Sequence, residues 1–143
     1  MKRAVVDTNL LLRMAASRRH LPLYRLWRER QFALVTSPQL IGEFERVMAH
    51  VKVRRFLSPL RGQEFLRLLR RRAVLVAPAS DFPHCRDPKD DIVVATAVAA
   101  RPSSLVTADH DLYGDAALVE ALSNLDVSVV RVAQFLSSLA TDG

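Results

Sequence analysis

The sequence predicts an α/β domain built on a parallel sheet, and three observations carry that prediction. Short β-branched runs of strand length alternate with longer amphipathic stretches along the chain. No repeat, low-complexity tract or Gly/Ser linker divides the 143 residues, so one domain over 1–143 is expected. Half the residues are apolar and a quarter are charged, which suits a packed core rather than disorder.

The elements follow in order. Ala4-Val5-Val6 reads as the first strand, and residues 8–16 and 21–30 as helices, the second with a Leu21, Leu23, Leu26 and Trp27 stripe. Phe32 to Thr36 reads as the second strand. Ser37-Pro38 is a cap followed by proline at the first helical position. Leu40, Ile41, Phe44, Val47 and Met48 then extend that helix to about His50. A short helix is expected over 52–57, and another after Gly62. Ala73 to Val76 reads as the third strand, and 77–87, with Pro78 and Pro83, as a loop. Asp87-Pro88 repeats the cap-then-proline signal and opens a helix to about Ala100. Ser104 to Thr107 is the fourth strand. Asp109 and Asp115 cap a turn and a helix over 116–123, Val127 to Val130 is the fifth strand, and 132–139 a last helix. Strand-to-helix crossovers are expected to be right-handed.

Charge is unevenly spread. Residues 1–72 hold 17 Lys/Arg against 5 Asp/Glu, a balance of +12, while residues 73–143 hold 4 against 10, a balance of −6. Excess arginine suits a polyanion, because guanidinium groups pair with phosphates and release counterions. A solvated arginine-rich surface is the plainer reading of charge alone, and an acidic partner peptide also fits. The single Cys85 forms no internal disulfide, which fits a reducing cytosol. Asp7 and Asn9 interrupt the opening apolar run before it can serve a signal peptide, and no apolar stretch nears the roughly 20 residues of a membrane span. A cytoplasmic protein with no membrane partner is expected.

The acids carry the chemistry. In an open parallel sheet, functional groups gather where strands end. Asp7 directly follows the first strand, and Asp109 and Asp111 closely follow the fourth. Asp90 and Asp91 open the helix before it, and Glu43 lies on the helix after the second strand. Packed normally, these carboxylates converge, and converging carboxylates repel unless a cation or proton compensates. All-oxygen donors favour Mg²⁺ or Mn²⁺. Each acid also has a plainer reading. Asp87, Asp109 and Asp115 serve as helix caps, Asp90 as the third-residue acid of a capping box, and Glu43 as a solvated helix residue. Singly, the plainer reading is favoured for each except Asp7. The four histidines share no ligand spacing with Cys85, and the four glycines form no phosphate-binding loop.

Taken together, four segments resemble the PIN-domain nucleases, the fold of the toxin in many bacterial toxin–antitoxin pairs. They are Val5-Val6-Asp7-Thr8-Asn9, Ser37-Pro38 leading to Glu43, Cys85-Arg86-Asp87-Pro88-Lys89-Asp90-Asp91 with the following Ile92 to Ala97, and Leu105 to Leu112. The Cys-Arg-Asp-Pro stretch is similar to one branch of PIN-domain toxins. The resemblance implies a three-layer α/β/α fold with a five-stranded parallel sheet. It also implies Mg²⁺- or Mn²⁺-dependent endoribonuclease activity, an RNA substrate, a cognate antitoxin protein and a homodimer. The family's core acids fall on Asp7, Glu43, Asp90 and Asp109, with Asp111 as a fifth. Asp7, Asp90, Asp109 and Asp111 are the implied metal ligands, and Asn9 and Thr107 match polar positions that brace them. Asp90 is preferred to Asp91 by its register with Ala95-Thr96-Ala97, and Asp91 lies about 100° further round a helix.

The mechanism expected from this set has Glu43 positioning or deprotonating the attacking water, or helping to hold a second metal. Arg13, Arg18 and Arg19 are candidates for holding the RNA backbone near the active-site side. The runner-up is a non-catalytic PIN-like module that binds RNA or protein. A phosphatase using Asp7 as nucleophile is disfavoured, since Asn9 stands where that class needs a second Asp.

Overall fold

The structure, a computed structural model, describes residues 1–142. It contains strands β1 (Arg3–Val6), β2 (Ala33–Thr36), β3 (Val74–Leu75), β4 (Ser103–Val106) and β5 (Val127–Val130). All are parallel, in the order β3-β2-β1-β4-β5. The helices are α1 (Thr8–Ser17), α2 (Pro22–Arg28), α3 (Pro38–Met48), α4 (Val51–Arg54), α5 (Pro59–Arg72), α6 (Asp91–Ala99), α7 (His110–Tyr113), α8 (Ala116–Ser123) and α9 (Val132–Asp142). Short 3₁₀ turns at Arg18–His20 and Pro88–Asp90 follow α1 and precede α6.

Strand alternation explains the three layers. Ala4 and Val6 of β1, Leu34 of β2 and Val106 of β4 pack on one face against α1, α2, α5 and α9. Val5, Val35 and Leu105 turn to the other face, against α6 and α8. Both faces of the sheet are covered, as a parallel sheet requires. An aromatic group on the first face, Trp27, Phe44 and Phe65, ties α2, α3 and α5 together at ring separations of 5.6–6.1 Å.

Caps set most helix starts. The Ser37 hydroxyl accepts from Leu40 N at 3.2 Å, and Pro38 follows it in α3. The Asp87 carboxylate accepts from Lys89 N at 3.0 Å, so the Asp87-Pro88 signal first opens a 3₁₀ turn and then α6. The helix expected after Gly62 instead begins at Pro59. Ser58-Pro59 is a third cap-then-proline signal, with the Ser58 hydroxyl accepting from Arg61 N at 3.3 Å. Gly62 lies inside α5 as a packing residue: a Cβ there would stand 2.8 Å from Met48 Sδ. The third strand is shorter than expected. Val74 and Leu75 are exposed at the sheet edge, Val76 N still reaches Thr36 O at 3.0 Å, and Pro78 has no N–H to continue the ladder.

The chain winds outward from β1 to β2 and β3, then returns to lay β4 and β5 on the other side. β1 and β4 are therefore neighbours at which the winding reverses, and the crevice beyond their C-terminal ends is where open α/β sheets place ligands. Among the described residues, no helix is long and apolar enough to cross a membrane.

Candidate active site

Asp7 stands at the reversal point and is held from three directions. Its N–H donates to Val106 O at 3.2 Å, extending the β1–β4 ladder one residue beyond β1. Its Oδ1 accepts from Leu10 N at 3.0 Å, so Asp7 is also the cap of α1. Its Oδ2 accepts from the Thr107 hydroxyl in a short hydrogen bond. Thr107 is fully buried just past β4, and its Oγ1 accepts in turn from Asp109 N at 3.0 Å. One hydroxyl thus links the two acids that end neighbouring strands. Asp109 caps α7, accepting from Asp111 N at 2.9 Å, and leaves its other carboxylate oxygen unused by that cap.

Asp90 joins them electrostatically. Burial, then the charges of Asp109, Asp87, Asp7 and Asp111, push its carboxyl up to about 6. Asp7 is also raised, mainly by burial, although the Thr107 and Leu10 hydrogen bonds pull the other way. Asp91 turns elsewhere. It accepts from Cys85 N at 2.8 Å and lies 3.3 Å from His84 Nδ1, and the Cys85 hydrogen bond leads the contacts that hold its carboxyl below the usual range. The Asp87 carboxylate is spent on Lys89 N, and Asp90 N donates to Asp87 O at 3.0 Å. The Asp90 carboxylate itself makes no capping bond.

Glu43 is half-buried on α3 and accepts from the Thr8 hydroxyl at 2.8 Å, which fixes it beside the residue following Asp7. Asp111 is exposed on α7, and Asn9 is exposed on the first turn of α1 without a side-chain hydrogen bond among the described residues. Arg13 is exposed on α1 and, with Arg131 and Gln134, lines a groove of about 400 Å³ that shares Thr107 with the acids. Arg18 and Arg19 lie past the far end of the ten-residue α1, about 15 Å along its axis from Asp7. Arg18 is paired with Glu64.

Two residues here were not singled out from sequence. Thr8 was visible in the Asp-Thr-Asn motif but had no assigned role. Arg131 follows β5 at the same sheet edge and stacks 4.6 Å over the Tyr113 ring, and only its strand-end position could have marked it.

A family model described as PIN domain matches residues 3–111. The chain belongs to the PIN-domain family. PIN domains are generally nucleases that typically use divalent metals, and the matched span contains all five of the expected acids. A comparison with curated proteins returned no match.

The donor chemistry of this PIN domain fits such a cation. The donors are carboxylates and a hydroxyl, the hard oxygen set that Mg²⁺ and Mn²⁺ take. Burial is the largest cause of the Asp90 elevation, and the part that its acidic neighbours add is the repulsion that a cation relieves. Among the described residues, no three Asp, Glu, His or Cys side chains already close into a ligand cluster. Mg²⁺ commonly keeps several waters and binds through one or two carboxylates, so an open set of acids suits it.

Proposed function

We propose that this PIN domain is a Mg²⁺- or Mn²⁺-dependent endoribonuclease, the toxin of a type II toxin–antitoxin pair. Asp7, Asp90 and Asp109 would hold the cation, with Asp111 at the rim. The observation that carries the reading is the Thr107-linked pair Asp7–Asp109 at the strand reversal, with Asp90 raised by both. When bound, the cation would supply Lewis acidity at the phosphodiester and make water a better nucleophile at neutral pH.

The chain's own residues do the rest. Thr107 locks the Asp7 carboxylate and the start of the Asp109 turn in one arrangement, so the acids need not be ordered during the reaction. Glu43, steadied by Thr8, takes the proton of the attacking water. Arg13 and Arg131 hold the strand beside the acids in the groove that Thr107 also lines. Asn9, exposed one residue beyond Thr8 and without a side-chain hydrogen bond among the described residues, would brace the edge of the site only through a bound ligand. The similarity of Cys85-Arg86-Asp87-Pro88 to one toxin branch supports the toxin role, with a small antitoxin and a second copy of this chain as partners.

A non-catalytic RNA- or protein-binding module is the second reading, and the exposed arginines of the basic half would serve it equally well. Incubation of purified protein with structured RNA and Mn²⁺ separates the two. Cleavage abolished both by EDTA and by Asp7→Asn supports the nuclease. No cleavage with any divalent metal supports the binding module, and cleavage that survives either control removes the acids from the chemistry.

A further inference from the structure

Six arginines gather at the end of the molecule away from the acids. One groove of about 320 Å³ is lined by Arg18, Arg28, Arg67 and Arg71, and a second of about 260 Å³ by Arg28, Arg30, Arg71 and Arg72. Arg28 and Arg71 belong to both, so the grooves form one continuous track across α2 and α5. The second groove also takes in Met1, Ala33 and Val74, at the N-terminal ends of β1, β2 and β3. Asp7, Thr107 and Asp109 lie at the C-terminal ends, the length of a four-residue strand away, about 13 Å.

The charge there is uncompensated. Glu64 is the only acid among the described residues lining either groove, and it is taken by Arg18. Arg28, Arg30, Arg67, Arg71 and Arg72 are exposed and pair with no acid among the described residues. Two of the arginines also occupy costly backbone: φ is 49° at Arg18 and 59° at Arg30, a region that favours glycine or asparagine. Of the aromatic rings in the lining, Trp27, Phe32 and Phe65 are buried and only Tyr24 is half-exposed, so little ring surface is offered for stacking. What the track presents to a ligand is a row of guanidinium forks. That matches a polymer with anionic groups repeated along its length, read through its backbone without base contacts.

We propose that this track is a second RNA-binding site, which grips the phosphodiester backbone outside the catalytic edge. The proposal rests on the reading of the chain as an RNA-acting enzyme only for the identity of the polymer. It makes long RNA a better substrate than an oligonucleotide that spans the acidic edge alone.

The test measures binding of a labelled single-stranded RNA by fluorescence anisotropy in EDTA, where cleavage plays no part. Arg28→Ala/Arg71→Ala should weaken binding about tenfold or more. Its log–log salt slope should be shallower by roughly 1.4, for two lost single-strand contacts. Arg28→Lys/Arg71→Lys should retain most of the affinity. Arg54→Ala/Arg55→Ala, an equally exposed pair outside the grooves, should change little. Equal losses from the two alanine pairs would reduce the effect to net charge and overturn the proposal, as would unchanged binding by the Arg28/Arg71 variant. An acidic peptide of matched charge that binds more tightly than RNA, and is lost in the same variant, would assign the track to a protein partner instead. Absence of metal-dependent cleavage would defeat the proposed function and leave these binding outcomes intact.

Discussion

Replacing Thr107 by valine keeps the shape of a fully buried side chain and removes one hydroxyl. That hydroxyl donates to Asp7 Oδ2 and accepts from Asp109 N at 3.0 Å, so two partners are abandoned at once. A hydrogen bond to a charged group contributes about 1.5–3 kcal/mol, and the half-buried Asp109 N–H left without its acceptor costs about 1 kcal/mol more. The expected loss is about 2–4 kcal/mol in urea unfolding, or roughly 10 °C in Tm for a domain of this size. The loss should be larger at pH 8 than at pH 4. Thr107 favours the ionised form of Asp7, whose carboxyl is raised by burial, and at low pH the bond to the neutral acid contributes less. Thr107→Ser keeps the hydroxyl and should lose only about 1 kcal/mol for the missing methyl. A Thr107→Val protein as stable as the wild type at both pH values would refute the claim that this hydroxyl organises the two acids.

Other perturbations separate the roles of neighbouring acids. Asp90→Asn should lower cleavage far more than Asp91→Asn, because Asp91 is engaged by the Cys85 N–H and His84; equal losses in a rate assay would reverse that assignment. Glu43→Gln keeps an oxygen for the Thr8 hydroxyl, so its Tm should stay close to wild type while cleavage falls about a hundredfold or more. Unchanged turnover would free Glu43 from proton transfer. Asp90 is an acid whose folded value, about 6, lies above its ordinary 3.8. Its contribution to stability is therefore fully present below about 3.8 and lost as pH rises through about 6. Without metal, the Tm advantage of Asp90→Asn over wild type should grow between pH 4 and 7, and excess Mg²⁺ should shrink it. A difference independent of pH and Mg²⁺ would mean that Asp90 does not feel the other acids.

The order of elements was legible because each rests on a short local signal. The helix over 116–123 and the strand Val127–Val130 stand where periodicity and the Asp115 cap place them. The errors have local causes too. Gly62 looks like a helix boundary in sequence, yet it is a buried interior glycine against which the flexible Met48 side chain packs closely, while Ser58-Pro59 carried the true start. β3 falls short of the expected run because Val74 and Leu75 are exposed rather than packed, so their apolar side chains do not hold the edge to the core. The positions of Asp7 and Asp109 could be read from strand ends, but their connection through Thr107 depends on residues one hundred apart in sequence. The same holds for Thr8 and Glu43, 35 residues apart. Charge asymmetry pointed to a basic half, and only the packing of α2 against α5 gathered its arginines into one track. Arg18 and Arg19 are near Asp7 in sequence, and helix α1 carries them away from it.

The most direct test of the central claim, that these carboxylates form a divalent-cation site, is Mn²⁺ binding measured by calorimetry near pH 6 in buffers of different ionisation enthalpy. Saturable binding with proton release is expected, since Asp90 is partly protonated there and must ionise to bind. Asp7→Asn should abolish that binding, as the claim requires. Mn²⁺ binding that is unchanged in Asp7→Asn, or the absence of binding at millimolar Mn²⁺, would contradict it.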